Sequence, residues 1–443
     1  MKHEITVQTR RQFLRTTVAG GALTWTVPGF LANTFSALNA DAENNPGPNA
    51  KGLDSRILVV LQMAGGNDGL NTIVPWNDDH YHRARPRLGL SGNRVLKIND
   101  DLGLHPNLGG LKSLYDSGCL AVVHGVGYPN PNRSHFRSTE IWQTAAGAEK
   151  AESTGWLGRY FDNDCAGCDP TVGISIGRQT PQAFAARGPR GISLENPNNY
   201  RFLSPEKSRH GEMSSAEESF RKLNQDENEI VENSGGSVSA IHGAARHGGS
   251  ALDFLERTAM DAQISSDRIR SLADKVQTTG DYPASQLGNS LKLVTKLIGG
   301  GLATRVFYVS QGGYDTHTNQ AGTHERLLKD LGDSLKALVD DLKAQGNMER
   351  VLIMTFSEFG RRVAENASGG TDHGAAAPMF VLGSKVKAGL LGQAPSLAPT
   401  DLFQGDLRYL VDFRSVYSTV LERWLNVKSE PILGGRFTPL DII

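Results

Sequence analysis

The chain has 443 residues and a formal net charge of −1 at pH 7, with 38% of its residues hydrophobic and 21% charged. This is ordinary globular composition, with enough length for a large core or two domains. The near-neutral charge and the lack of a basic run exclude a general attraction to nucleic acid, and the three cysteines are too few for a disulfide scaffold. Cys165 and Cys168 form one short pair, CAGC, without the second pair that a zinc site needs; a local bridge and two unlinked thiols both remain open.

Thr9 to Arg15 reads TRRQFLR and is followed by a moderately apolar stretch, Thr16 to Leu38, and by the small residues Ala37, Ala40 and Ala42. That is the layout of a twin-arginine export signal, so roughly residues 1–42 are set apart from the fold. The expected partner is the twin-arginine export machinery, and the expected destination is the periplasm or the exterior. Gly20, Gly21, Thr24, Thr26, Pro28 and Gly29 keep the segment polar, and no stable membrane span is expected once it is removed. Twin-arginine systems move folded proteins, which is compatible either with metal uptake before export or with fast folding alone. Residues 43–54 read as a flexible lead-in, and 55–443 as one α/β domain.

Ile57 to Met63 is continuously apolar apart from Gln62 and rich in β-branched residues, which predicts a central strand buried on both faces. Gly65, Gly66 and Gly69 then place Asp68 on a tight loop at the strand's carboxyl end, where open α/β sheets build their sites. A turn in which Asp68 merely caps backbone amides is the plainer alternative. Trp76 to Arg87 carries His80, His82, Arg83, Arg85 and Arg87, either a charged surface turn or a receiver for an anion. A short helix over Leu108–Ser117 and a buried strand over Cys119–Val126 follow. The next loop, Gly127 to Phe136, leads into a helix, and Ser134 or Ser138 is placed to cap it. A hydroxyl at a helix N-terminus sits where anions bind, so Ser134 is also a candidate nucleophile, with Arg133 and His135 beside it.

A further strand is expected at Gly173–Gly177, with a loop at Gly188–Gly191. Residues 204–250 are rich in Ser, Gly, Glu, Asn and Lys and read as a mobile insertion. Apolar stripes predict helices over Leu252–Val276, Ser285–Ile298 and Thr323–Gln345, the last as a right-handed crossover between strands at Arg305–Gln311 and Arg350–Phe356. The first of these strands ends in Gly312-Gly313-Tyr314-Asp315-Thr316-His317 and the second in Ser357-Glu358-Phe359-Gly360-Arg361-Arg362. The loop Asn366–Gly374 presents Asp372 and His373 before a fifth strand at Pro378–Leu382. Asp68, Asp315, His317, Glu358, Asp372 and His373 are therefore expected to face one crevice at the sheet's carboxyl edge. Their oxygen and imidazole donors suit zinc foremost, with manganese, magnesium or calcium as alternatives.

The segments VLQMAGGNDGLN, NRSHF, GGYDTHTNQ, FSEFGRR and TDHG, in that order and at strand ends, resemble the alkaline phosphatase and sulfatase superfamily. The resemblance is greatest to a group of exported bacterial proteins within it that is catalogued only as a domain of unknown function. It implies an alkaline-phosphatase-like fold, Asp68 and Glu358 on one metal, Asp315, His317 and His373 on another, and Ser134 as nucleophile. The implied activity is metal-assisted hydrolysis of a small anionic phosphate or sulfate ester, with Arg133 or Arg361 holding the anionic group. Two positions depart from the superfamily's pattern: Asn319 stands four residues after Asp315 where a histidine is usual, and Glu358-Phe359 replaces an Asp-His pair. These departures leave open a single metal, other ligands such as His135 or His324, or an inactive site. The rival reading is an exported, non-catalytic binding or assembly protein that retains the fold.

Overall fold

The computed structural model describes residues 56–165, 170–187, 191–196 and 268–443. The export signal, the lead-in, the 204–250 stretch, most of the helix expected at 252–276, most of the 188–191 loop, and Cys168 with the question of its bridge to Cys165 lie outside the described residues.

A nine-stranded mixed sheet organises the domain. Its central strand, β1 (Ile57–Met63), is buried at every position. Val59, Leu61 and Met63 enter the core on one face, and Leu58 and Val60 enter the core on the other, which is why its apolar run does not alternate. A small three-stranded sheet follows, made of β2 (Ile73–Val74), β3 (Leu96–Lys97) and β4 (Gly103–Leu104). The remaining strands of the main sheet are β5 (Leu120–Gly127), β6 (Gly173–Ile176), β7 (Ile192–Leu194), β8 (Val306–Gln311), β9 (Val351–Phe356), β10 (Ala377–Leu382), β11 (Gly389–Leu391) and β12 (Val411–Asp412). Their order is β11-β5-β10-β9-β1-β8-β6-β7, with β12 also paired to β5.

Strands β8 and β9 flank β1 in parallel, and Gln62 stands beside Ser310 on one side and Phe356 on the other. Three consecutive strands thus deliver the loops that follow them to one edge. The fifth strand of the sequence reading, β10, differs from its neighbours by running antiparallel to both β5 and β9. The reason lies in the connection: residues 357–376 contain no crossover helix, so the chain re-enters the sheet from the edge at which it left. That reversal keeps Glu358, Arg361, Asp372 and His373 together.

Helices α1 (Asp79–Ala84), α2 (Gly109–Asp116), α3 (His135–Thr144), α4 (Trp156–Asp164), α5 (Gln286–Gly299), α6 (Gln320–Ala344) and α7 (Phe413–Thr419) cover the sheet. The apolar stripes of α2, α5 and α6 join one core, while Trp142 of α3, Trp156 of α4 and Phe413 of α7 join the other. Helix α6 links β8 to β9 past the intervening β1. It begins three residues earlier than the periodicity predicts, after Asn319 in the left-handed region at φ 45°. Among the described residues no helix is long and apolar enough to cross a membrane.

Candidate metal centre

Close backbone contact between loops builds the site. Gly65, at φ +120°, lies so near the β8 loop that an added Cβ would stand 2.5 Å from the Asp315 nitrogen, and at Gly370 it would stand 2.2 Å from the His317 carbonyl carbon. Only glycine allows these approaches. The fully buried Arg361 guanidinium then ties the loops together. Its Nε donates to Gly66 O at 2.7 Å, Nη1 to Thr371 O at 2.8 Å, and Nη2 to Tyr314 O at 3.0 Å, to Asp315 Oδ1 at 2.8 Å and to Gly65 O. Arg361, offered by the sequence as an anion clamp, is thus committed to the scaffold. Burial alone would raise the Asp315 carboxyl; the Arg361 hydrogen bond, with His373, outweighs it and holds Asp315 well below the usual carboxylate range.

Around Asp315 stand three imidazoles. One ligand atom each from His135, Asp315 and His373 lies within 4.8 Å of the others. His373 Nε2 is 3.1 Å from Asp315 Oδ1, His317 Nε2 is also 3.1 Å from it, and His135 Nε2 is 3.4 Å from Oδ2. Each ring is fixed through its other nitrogen. His373 Nδ1 meets Arg133 O at 2.7 Å, His135 Nδ1 meets Glu358 Oε1 at 2.8 Å, and His317 Nδ1 meets Asp372 Oδ1 at 3.3 Å. Carbonyl and carboxylate oxygens only accept, so each Nδ1 contact made by a neutral ring would be a donated N–H, leaving its Nε2 free to ligate a cation beside Asp315. His317 Nε2 and His373 Nε2 are 2.9 Å apart, close enough to share one proton or to face one cation. His135 Nε2 is also buried without a hydrogen-bond partner. This donor set fits a divalent cation, and among the described residues no cysteine joins it.

The arrangement divides the six acids and histidines of the sequence reading into different parts. Asp315, His317 and His373 lie together, joined by His135, which the sequence named first as a catalytic neighbour of Ser134. Glu358 and Asp372 each meet an imidazole Nδ1; Glu358 Oε1 also accepts from Gly65 N at 2.8 Å, although its Oε2 is buried and unpartnered. Asp372 lies below its usual range, chiefly through the Asn366 hydrogen bond. Asp68 is not brought into the cluster. Its carboxylate is fully buried, and Oδ2 accepts from Arg85 Nη1 at 2.6 Å and from Gln320, so its counter-ion is a guanidinium. Burial pushes Asp68 up, but Arg85 more than compensates and holds it below the usual carboxylate range.

Phe359, at the departure from the superfamily's Asp-His pair, packs its ring 4.8 Å from that of His135 and 4.6 Å from that of His373. His324 lies apart, with Nε2 3.0 Å from Asn67 Oδ1, and burial pushes it down to about 4. Ser134 is the N-cap of α3 and is exposed, and its side chain makes no capping bond. Ser138, the other expected cap, is instead inside the helix, donating to Glu358 O at 2.5 Å. Arg133 does not reach into open space either: Nε and Nη2 donate to Asp406 Oδ2 at 3.0 and 2.6 Å. Arg85, Gln320 and Asp406 went unread as partners, since nothing in the sequence ties them to acids and amides far along the chain.

Residues 55–434 match a family described as "Protein of unknown function (DUF1501)". The chain belongs to that family. No curated protein matches it at a significant level. Its structural neighbours include an alkaline phosphatase superfamily protein, a sulfatase and an alkaline phosphatase, each of them distant. A superfamily protein from Vibrio parahaemolyticus is 10% identical, covers 92% of this chain and 76% of its own, and has a TM-score of 0.35. The lipoteichoic acid synthase of Listeria monocytogenes is 8% identical, with 92% and 80% covered and a TM-score of 0.37. A sulfatase from Pseudoalteromonas sp. is 12% identical, with 88% and 72% covered and a TM-score of 0.36.

Proposed function

We propose that this chain is an exported hydrolase of small phosphate or sulfate esters that works with one divalent cation held by His135, His317, His373 and Asp315. The observation that carries the reading is the convergence of three imidazole Nε2 atoms on Asp315, each ring also meeting a fixed oxygen through its Nδ1. Three imidazoles and one carboxylate favour zinc, allow manganese or magnesium less readily, and suit calcium least, because calcium sites are built of oxygens. When bound, such a cation polarises the ester oxygen and lowers the pKa of an attacking hydroxyl or water.

The chain's own residues supply the rest. Ser134 Oγ, exposed and without a capping bond, would act as nucleophile, and the first-turn N–H groups of α3 have no side-chain cap. The positive end of that helix would receive the anionic group, since the guanidinium groups of Arg133 and Arg361 are engaged elsewhere. Arg361 keeps Asp315 ionised, and Phe359 keeps the rings of His135 and His373 from turning. Export rests on the Arg10-Arg11 signal in the sequence.

One observation favours the rival, a non-catalytic binding or assembly protein: both arginines nearest the site are already paired. Metal analysis of protein exported in its native host, followed by a panel of phosphate and sulfate esters, separates the two. The hydrolase reading expects about one bound cation per chain and an activity that Asp315→Asn and Ser134→Ala abolish. A metal-loaded protein inactive across the panel would establish the rival.

A further inference from the structure

Asp406 is a buried carboxylate, 1% exposed, on a loop outside the His135–Asp315–His373 cluster. Phe403 and Asp406 exchange backbone hydrogen bonds at 3.0 Å across Gln404 and Gly405, which lie in the left-handed region at φ 54° and 84°. Two successive residues of that conformation make a tight hairpin turn, so the Asp406 carboxyl projects from a rigid support. The turn is also docked: Arg362 Nη2 donates to Gln404 O at 2.8 Å.

From that support Asp406 faces two guanidinium groups on loops that carry the centre. Its Oδ2 accepts from Nε and Nη2 of Arg133, while Oδ1 lies 3.5 Å from Arg362 Nε and has no hydrogen bond of its own. Each arginine reaches the cluster through its backbone. The Arg133 carbonyl oxygen meets His373 Nδ1 at 2.7 Å, and Arg362 follows Arg361, which forms an antiparallel bridge with His373. Arg362 N also donates to Asp372 O at 3.0 Å. One carboxylate thus restrains the chain on two sides of the His373 ring, whose Nε2 lies 3.1 Å from Asp315 Oδ1. Taking a carboxylate out of water offsets much of what an ion pair gains, so the geometry that the pair fixes is the better account of its presence.

We infer that Asp406 is a positioning residue of the metal centre: by holding the Arg133 side chain it sets the Arg133 carbonyl against His373 Nδ1, and so aims His373 Nε2 at the cation. It touches neither cation nor substrate. This rests on the metal-binding part of the hydrolase reading and adds the support on which that centre depends. Without Asp406 the Arg133 side chain, already 36% exposed, turns to water, the 127–136 loop loses its tether, and the carbonyl no longer fixes the ring.

Zinc affinity, measured on the full chain by competition with a chelating dye, tests this without turnover. Asp406→Ala should weaken zinc binding roughly tenfold, the low end of the range for a group that orients a ligand without binding the metal. It should also change the visible spectrum of the cobalt(II)-loaded protein, which reports ligand geometry. Arg133→Ala should match Asp406→Ala, and the double variant should bind zinc no more weakly than either, because both substitutions cut one link. Unchanged affinity and spectrum in Asp406→Ala overturn the inference, even if Tm falls, and so does an additive loss in the double variant. If Asp406→Ala does not fold, Arg133→Ala decides alone, and wild-type zinc affinity in that variant overturns the inference. Wild-type protein that binds no zinc overturns the metal centre and the inference with it. Zinc binding that depends on Asp406 in a protein inactive on every ester upholds the inference while the hydrolase reading falls.

Discussion

Replacing Arg85 with methionine tests whether Asp68 belongs to an internal ion pair or to a metal. Both side chains are fully buried, and the guanidinium bonds Asp68 Oδ2 at 2.6 Å, Asn71 Oδ1 at 2.8 Å, Val363 O at 2.9 Å and Arg362 O at 2.9 Å. Methionine keeps much of the volume and removes the charge, leaving a buried carboxylate whose Oδ1 already lacks a partner. Loss of one member of such a pair costs about 3–5 kcal/mol. The pH dependence carries the sharper signature. In the wild type the Asp68 carboxyl is lowered, so its contribution is present above the unfolded value and is lost only as pH falls through the lower folded value. Without Arg85 the strongest remaining influence is burial, which raises the folded value. Stability is then complete below the unfolded pKa and is lost as pH rises through the folded one, by up to about 1.4 kcal/mol per pH unit. Urea unfolding of both proteins at pH 5, 6.5 and 8 should therefore show a gap that widens toward pH 8. A gap under about 1 kcal/mol, or one that is constant with pH, would refute the internal pair as described.

Chelator-treated wild-type protein should gain about 2.7 kcal/mol from zinc at a hundredfold excess over Kd, read as a rise in Tm; Asp315→Asn should largely abolish the rise, whereas Asp68→Asn should reproduce it, and equal loss in both variants would return Asp68 to the metal site. Glu358→Gln, which disturbs a ring orientation rather than a ligand, should weaken zinc binding by about 10- to 100-fold, less than Asp315→Asn does. Gly370→Ala forces a methyl against the His317 backbone and should cost about 1–3 kcal/mol and lower zinc affinity; unchanged zinc binding would contradict the close packing of the two loops. Burial pushes His124 down to about 4, so the stability it supports is complete above about 6.5 and falls as pH drops toward 4. His124→Leu should flatten that limb of the stability curve, and an identical slope would show that His124 is not buried neutral. Arg10→Lys with Arg11→Lys should stop export, and normal accumulation outside the cytoplasm would end the twin-arginine assignment.

The parts of this fold that were legible in the sequence are those whose burial is uniform along a segment. Ile57–Met63 was read to the residue because a strand covered on both faces has no polar side to blur its ends. The strands at Val306–Gln311 and Val351–Phe356 and the leucine stripe of α6 were legible for the same reason. Short pieces were not: β11, β12 and the three-stranded sheet have two or three residues per strand, too few for any periodicity, and are held by neighbours rather than by their own pattern. The direction of β10 was equally hidden, because an apolar run reads the same for parallel and antiparallel pairing.

At the site, residue type marked the acids that end strands but not what each would do. Asp68, Asp315 and Glu358 all follow an apolar strand, and their surroundings alone distinguish them. One meets a buried guanidinium delivered from α1's end, one meets three Nε2 atoms, and one meets an imidazole Nδ1. The departure at Phe359 likewise gains a physical sense. Where the superfamily's pattern has a histidine, this chain has a ring that packs against two others, and His135 from a different loop brings its Nε2 to Asp315. A donor supplied from the start of α3 couples the centre to the helix that carries Ser134 and Phe136. A bound cation would then tie the start of α3, with the proposed nucleophile Ser134, to the centre, which a ligand on the β9 loop would not do.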